Sequence, residues 1–116
     1  MKPGPESDRI LLDHILECIG HVEDYTRGGK SEFFGSTMVQ DAAVRKLQIM
    51  AESTQRLSHA IKLSEPGIPW GKIAGFRNTL THAYFGMDFE LVWVAIDKDL
   101  QPLKEATLRM IQHIPE

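Results

Sequence analysis

Phe76-Arg77-Asn78-Thr79-Leu80-Thr81-His82-Ala83-Tyr84-Phe85-Gly86 is the stretch whose reading decides the fold. At about 100° per residue, Ile73, Phe76, Leu80, Ala83 and Tyr84 fall within one arc of a helix, which makes a core-facing stripe. Arg77, Asn78, Thr81 and His82 take the opposite arc, with Asn78 and His82 one turn apart. Ile68-Pro69-Trp70 leads in, since Pro is tolerated in a first turn, and Gly86 is suited to ending the helix. One face therefore packs, and the other gathers an Arg, an Asn and a His.

The surrounding chain repeats the helical period. Ser7 or Asp8 can cap a first helix to about residue 26, with Leu12, Ile15, Ile19 and Val22 on its apolar face. Arg27-Gly28-Gly29-Lys30 ends it, and residues 31–36 read as a short connection with Phe33 and Phe34 tucked under the bundle. Thr37 can cap a second helix reaching about Leu63, where Ala43, Leu47, Met50, Thr54, Leu57 and Ile61 keep heptad-like steps. Asp88 can cap a fourth segment carrying Leu91, Val92, Val94, Ala95 and Ile96. Asp99 and Pro102 mark a break or restart, since Pro disfavours helix in the residue before it. Leu103, Ala106, Met110 and Ile114 then line a final helix. No alternating strand pattern and no internal repeat intervene. The expected fold is all-α: a four-helix up-and-down bundle with a short additional helix, one domain over residues 1–116 with a loose lead-in at 1–6.

Composition narrows the function classes. With 42% hydrophobic and 25% charged residues, the 116-residue chain is of ordinary globular type. No apolar run approaches a membrane span, and the first five residues lack a signal-peptide core, so no membrane partner and a cytoplasmic location are expected. The lone Cys18 excludes an intrachain disulfide and a cysteine zinc site, and it reads as a small buried hydrophobe. Glu17 and His21 share a helix face with His14 a turn back, but no Glu-x-x-His pair recurs on two helices. No metal or cofactor is therefore expected. The net charge of −3 is uneven. Residues 45–77 hold six basic residues against Glu52 and Glu65, a balance of +4 that leaves −7 for the rest. That local charge permits phosphate binding.

Arg77-Asn78 followed by His82-x-Tyr84 resembles the signature of the HEPN superfamily, an Arg followed after four to six residues by His-x-Tyr. Ile68-Pro69-Trp70, Tyr84-Phe85-Gly86-Met87-Asp88, Trp93, Asp41-Ala42-Ala43 and Glu52 are similar to its HepT-like branch, over roughly residues 8–114. Ala51, Ser53 and Ala83 depart from the residues often found at those places. The resemblance implies a HEPN fold, a homodimer with the motif at its interface, and a toxin paired with a minimal nucleotidyltransferase antitoxin that adds AMP to Tyr84.

The residue types support cleavage of RNA independently of the resemblance. Arg77 offers a planar cationic fork matched to a phosphate or a phosphorane-like transition state. Histidine is the side chain that titrates near neutral pH, so His82 can move a proton as base or acid. Asn78 can orient the imidazole or donate to a phosphate oxygen. No carboxylate cluster accompanies them as a two-metal nuclease requires. RNA supplies its own 2′-hydroxyl nucleophile, so Arg and His can cut it by transesterification. Arg77 and His82 lie about 140° apart around an ideal helix, too far for one scissile bond, which points to a composite site across a two-fold dimer. A non-catalytic HEPN subunit that binds nucleotide or RNA and supports a nucleotidyltransferase is the alternative. Trp70 and Trp93 read as packing anchors.

Overall fold

The computed structural model describes residues 4–83 and 86–115. Among them all regular structure is helical: α1 (Pro5–Tyr25), α2 (Gly29–Gly35), α3 (Thr37–Arg56), α4 (His59–Leu63), α5 (Trp70–His82), α6 (Phe89–Val94) and α7 (Leu100–Gln112). A π-helical segment, Ala95–Asp99, joins α6 to α7. The all-α class is as the periodicity predicts.

The apolar stripes of α1, α3 and α7 bury as predicted, whereas on α5 only Leu80 and on α6 only Val92 is buried. Leu12, Ile15, Ile19 and Val22 of α1 meet Ala43 and Leu47 of α3, and all are fully buried. Each such Leu or Ile contributes about 1.5–3 kcal/mol by leaving water. Helix α1 packs along α3, α3 against α5, and α1 against α7, so α3 lies between the first helix and the polar helix. Phe33 is buried against Phe89 and Trp93 with ring centroids 6.0 and 5.4 Å away, which makes Trp93 a packing anchor. Trp70 is another: its indole N–H donates to the Lys62 and Glu65 carbonyls at 3.3 and 3.2 Å. Phe34, expected under the bundle, is instead 37% exposed.

Several boundaries differ from expectation, each for a local reason. Helix α1 starts at Pro5, so Pro5 and Glu6, expected in a loose lead-in, form its first turn. Asp8 is not its cap: the carboxylate is buried and accepts from Ser58 N–H and Oγ–H at 2.8 and 2.6 Å. Residues 29–35 form α2 rather than a plain connection, entered through Gly29 at φ +85°, a conformation that favours glycine. Ser36 rather than Thr37 caps α3, its hydroxyl accepting from Val39 N–H at 3.2 Å. The predicted long second helix breaks at Leu57, because Ser58 caps a new helix by accepting from Ile61 N–H at 3.2 Å. Asp88 caps α6 as predicted, accepting from Leu91 N–H at 3.2 Å. The break foreseen near Asp99 and Pro102 is a π turn, which widens the coil where the proline ring would meet the carbonyl four residues earlier.

Three titratable groups among the described residues, Cys18, Glu65 and Arg109, are shifted by this packing, Arg109 upward by its hydrogen bonds to Glu65. Burial pushes the Cys18 thiol up, with Lys46 opposing and Glu17 adding to the effect. Hydrogen bonds from Arg109 at 2.7 and 3.1 Å hold the Glu65 carboxyl below its ordinary range and tie α7 to the turn before α5.

Candidate active site

Helix α5 delivers the predicted polar face, but its packing splits that face in two. Thr81 accepts a hydrogen bond from Gln48 Nε2 of α3 at 3.2 Å, and its own hydroxyl donates to the Arg77 carbonyl at 2.9 Å. This seam turns Arg77 and Thr81 toward α3. Asn78 and His82, one step further round the helix, are exposed.

Arg77 is aimed by two neighbours. Its Nε donates to Glu52 Oε2 at 2.7 Å, and Nη1 donates to Asn78 Oδ1 at 2.9 Å. Nη2 has no hydrogen-bond partner among the described residues, so one edge of the guanidinium is left for a ligand. The Arg77 and Glu52 side chains are 31% and 42% exposed. At that exposure an ion pair is worth about 0–1 kcal/mol, so its consequence is orientation rather than stability.

His82 is held by its own helix. Its Nδ1 lies 2.9 Å from the Asn78 carbonyl oxygen. A carbonyl can only accept, so this contact calls for the proton on Nδ1. Asn78 thus serves both partners, its side chain fixing Arg77 and its backbone fixing the imidazole. Tyr84, the candidate modification site, lies outside the described residues.

Arg77 opens into a polar groove of about 420 Å³ between α1, α3 and α5. Besides Arg77 and Glu52, the groove is lined by Arg45, Arg56, His14 and Gln48, while His82 does not border it. Sequence reading singled out neither Arg45 nor Arg56 as a site residue and took His14 as unremarkable. The signal that could have found them was a polar stripe on α3, Arg45, Gln48, Glu52 and Arg56, at steps of three, four and four. Beside α5 on its apolar side is a larger cleft of about 660 Å³, lined by Ile73, Phe76, Leu91 and Val94 among others. Among the described residues no group of three or more His, Cys, Asp or Glu is placed to hold a metal, and no helix is long and apolar enough to cross a membrane.

The chain matches the Ribonuclease HepT-like family over residues 15–110. It therefore belongs to the HepT-like branch of the HEPN superfamily, which places it among ribonucleases. The "Probable ribonuclease HepT" of Thermococcus cleftensis is 34% identical over 99 residues, covering 84% of this chain and 90% of that protein. The "Gamma-glutamylcyclotransferase and putative RNase MJ0434" of Methanocaldococcus jannaschii is 36% identical over 107 residues, 91% of this chain. This chain spans 48% of that protein's length. No solved structure matches it.

Proposed function

We propose that the chain is a metal-independent endoribonuclease, the toxin of a type VII-like toxin–antitoxin pair. The observation that carries this reading is Arg77, aimed by Glu52 and Asn78 into a cationic groove, with His82 held on the same helix by the Asn78 carbonyl. In the reaction, the RNA 2′-oxygen attacks the adjacent phosphorus and gives its proton to an imidazole Nε2. The bond to the 5′-oxygen breaks as that oxygen takes a proton from water. The products are a 2′,3′-cyclic phosphate and a 5′-hydroxyl. Arg77 stabilises the charge that builds on the phosphorane oxygens. The imidazole is that of His82 of the partner subunit in a two-fold dimer. The chain works in the cytoplasm beside its antitoxin.

Neutralisation fits the same site. A minimal nucleotidyltransferase antitoxin adds AMP to Tyr84, and the added phosphodiester competes with substrate phosphate for Arg77. Co-expression with such a partner should add adenylyl mass to the peptide containing Tyr84; an unmodified peptide from a neutralised protein would count against it.

The deciding experiment is cleavage of RNA in excess chelator. Wild-type protein should yield cyclic-phosphate ends, and Arg77→Ala and His82→Ala should each lose at least about a hundredfold in rate. If the wild-type chain binds RNA but leaves it intact, the non-catalytic partner subunit is the better reading.

A further inference from the structure

We propose that the groove between α1, α3 and α5 is a track for single-stranded RNA, in which Arg45 and Arg56 bind the phosphates flanking the one at Arg77. The proposal deepens the ribonuclease reading and rests on it for the identity of the ligand. Its support is the distribution of arginine. The chain has six arginines, at positions 9, 27, 45, 56, 77 and 109. Arg9, Arg27, Arg77 and Arg109 each form an ion pair with a carboxylate. Arg45 and Arg56 form none with a described residue, and both line the groove that holds Arg77. A guanidinium left without a carboxylate beside a phosphate-directed arginine is a site for a second anion.

The spacing suits a strand rather than a single phosphate. Arg45, Glu52 and Arg56 are seven and four residues apart on α3, so Arg77, docked on Glu52, lies at a level about 10 Å from one arginine and about 6 Å from the other along the axis. The three cations thus form a row along one wall, each able to meet a successive part of a phosphodiester backbone. Glu52 alone among the lining residues is acidic, and Arg77 already neutralises it. The groove therefore carries a net +2 on a chain whose formal charge is −3. His14 and Gln48 add hydrogen-bonding groups to the walls, which suits sugar and phosphate oxygens better than an apolar ligand.

The test uses a 2′-O-methyl single-stranded oligonucleotide. It lacks the nucleophilic hydroxyl, so binding is read separately from cleavage. Fluorescence anisotropy across a salt series gives Kd and its salt slope for the full chain. Arg45→Gln and Arg56→Gln should each weaken binding about fivefold at about 0.1 M salt and reduce the slope by about 0.7 for each phosphate no longer neutralised, the double variant combining both effects. Lys98→Gln, an equal reduction of charge on the exposed π segment, should change neither quantity. If wild-type protein binds with a steep slope and both arginine variants match it, the track is wrong, whether or not the chain cleaves RNA. If the arginine variants show the shallower slope while natural RNA stays intact, the track stands and the nuclease reading falls. A wild-type chain that does not bind the oligonucleotide overturns the track.

Discussion

At the scale of single residues, the site depends on a guanidinium held in place by hydrogen bonds rather than by burial. Glu52 and Asn78 occupy Nε and Nη1 of Arg77 and so fix the plane of the fork. Removing Glu52 leaves Arg77 charged and present but held by Asn78 alone, which no longer fixes the plane of the fork. Positional errors of about 1 Å can cost a hundredfold in rate. The half-exposed pair contributes only about 0–1 kcal/mol to folding. Glu52→Ala should therefore slow RNA cleavage by roughly ten- to a hundredfold with little change in Tm. It should also bind RNA no more weakly than wild type, since a negative charge leaves the groove. Single-turnover cleavage, anisotropy and a thermal melt on one preparation check all of this. Undiminished cleavage would remove Glu52 from the account, and a large fall in Tm would recast it as structural.

At the scale of elements, the sequence was most legible where one periodicity governs a whole helix. The stripes of α1, α3 and α7 could be read because Leu12, Ile15, Leu47, Met50, Leu103 and Met110 are selected by burial alone. Boundaries were less legible because distant partners set them. Asp8 looks like an N-cap in sequence, yet its carboxylate is taken by Ser58, fifty residues away, and that contact accompanies the end of α3 and the start of α4. The candidate site divides in the same way. Arg77, Asn78 and His82 stand out as chemistry-bearing types in one short motif. Arg45 and Arg56 do not, because arginine on a helix is ordinary solvated surface until another helix is laid beside it. The Gln48–Thr81 hydrogen bond helps place α5 there, and it joins residues 33 apart in the chain. In the sequence Glu52 stands out only as a charge in the 45–77 balance and through the family resemblance; its contact with Arg77 is a tertiary fact.

At the scale of the whole molecule, the two halves of the proposed chemistry face different ways. Arg77 looks into the groove beside α3, while His82 sits outside it, in keeping with an angle of about 140° between positions five residues apart. One chain therefore offers a scissile phosphate an arginine without a suitably placed imidazole. A second copy related by a two-fold axis could bring its own His82 to that phosphate. Docking along α5 would also cover apolar surface beside it, where Leu91 and Val94 are 46% and 44% exposed on the rim of the large cleft. An active dimer in equilibrium with inactive monomers makes a kinetic prediction. Well above the dimer dissociation constant, cleavage per protomer should be constant. Well below it, the rate per protomer should fall in proportion to concentration, because dimer scales with the square of monomer. Sedimentation velocity over the same dilution series should place the fall in activity at the change from dimer to monomer. A preparation that sediments as monomer and cleaves RNA at the full rate per protomer would show that one chain suffices, and would require His82 to reach the Arg77 phosphate within a single α5.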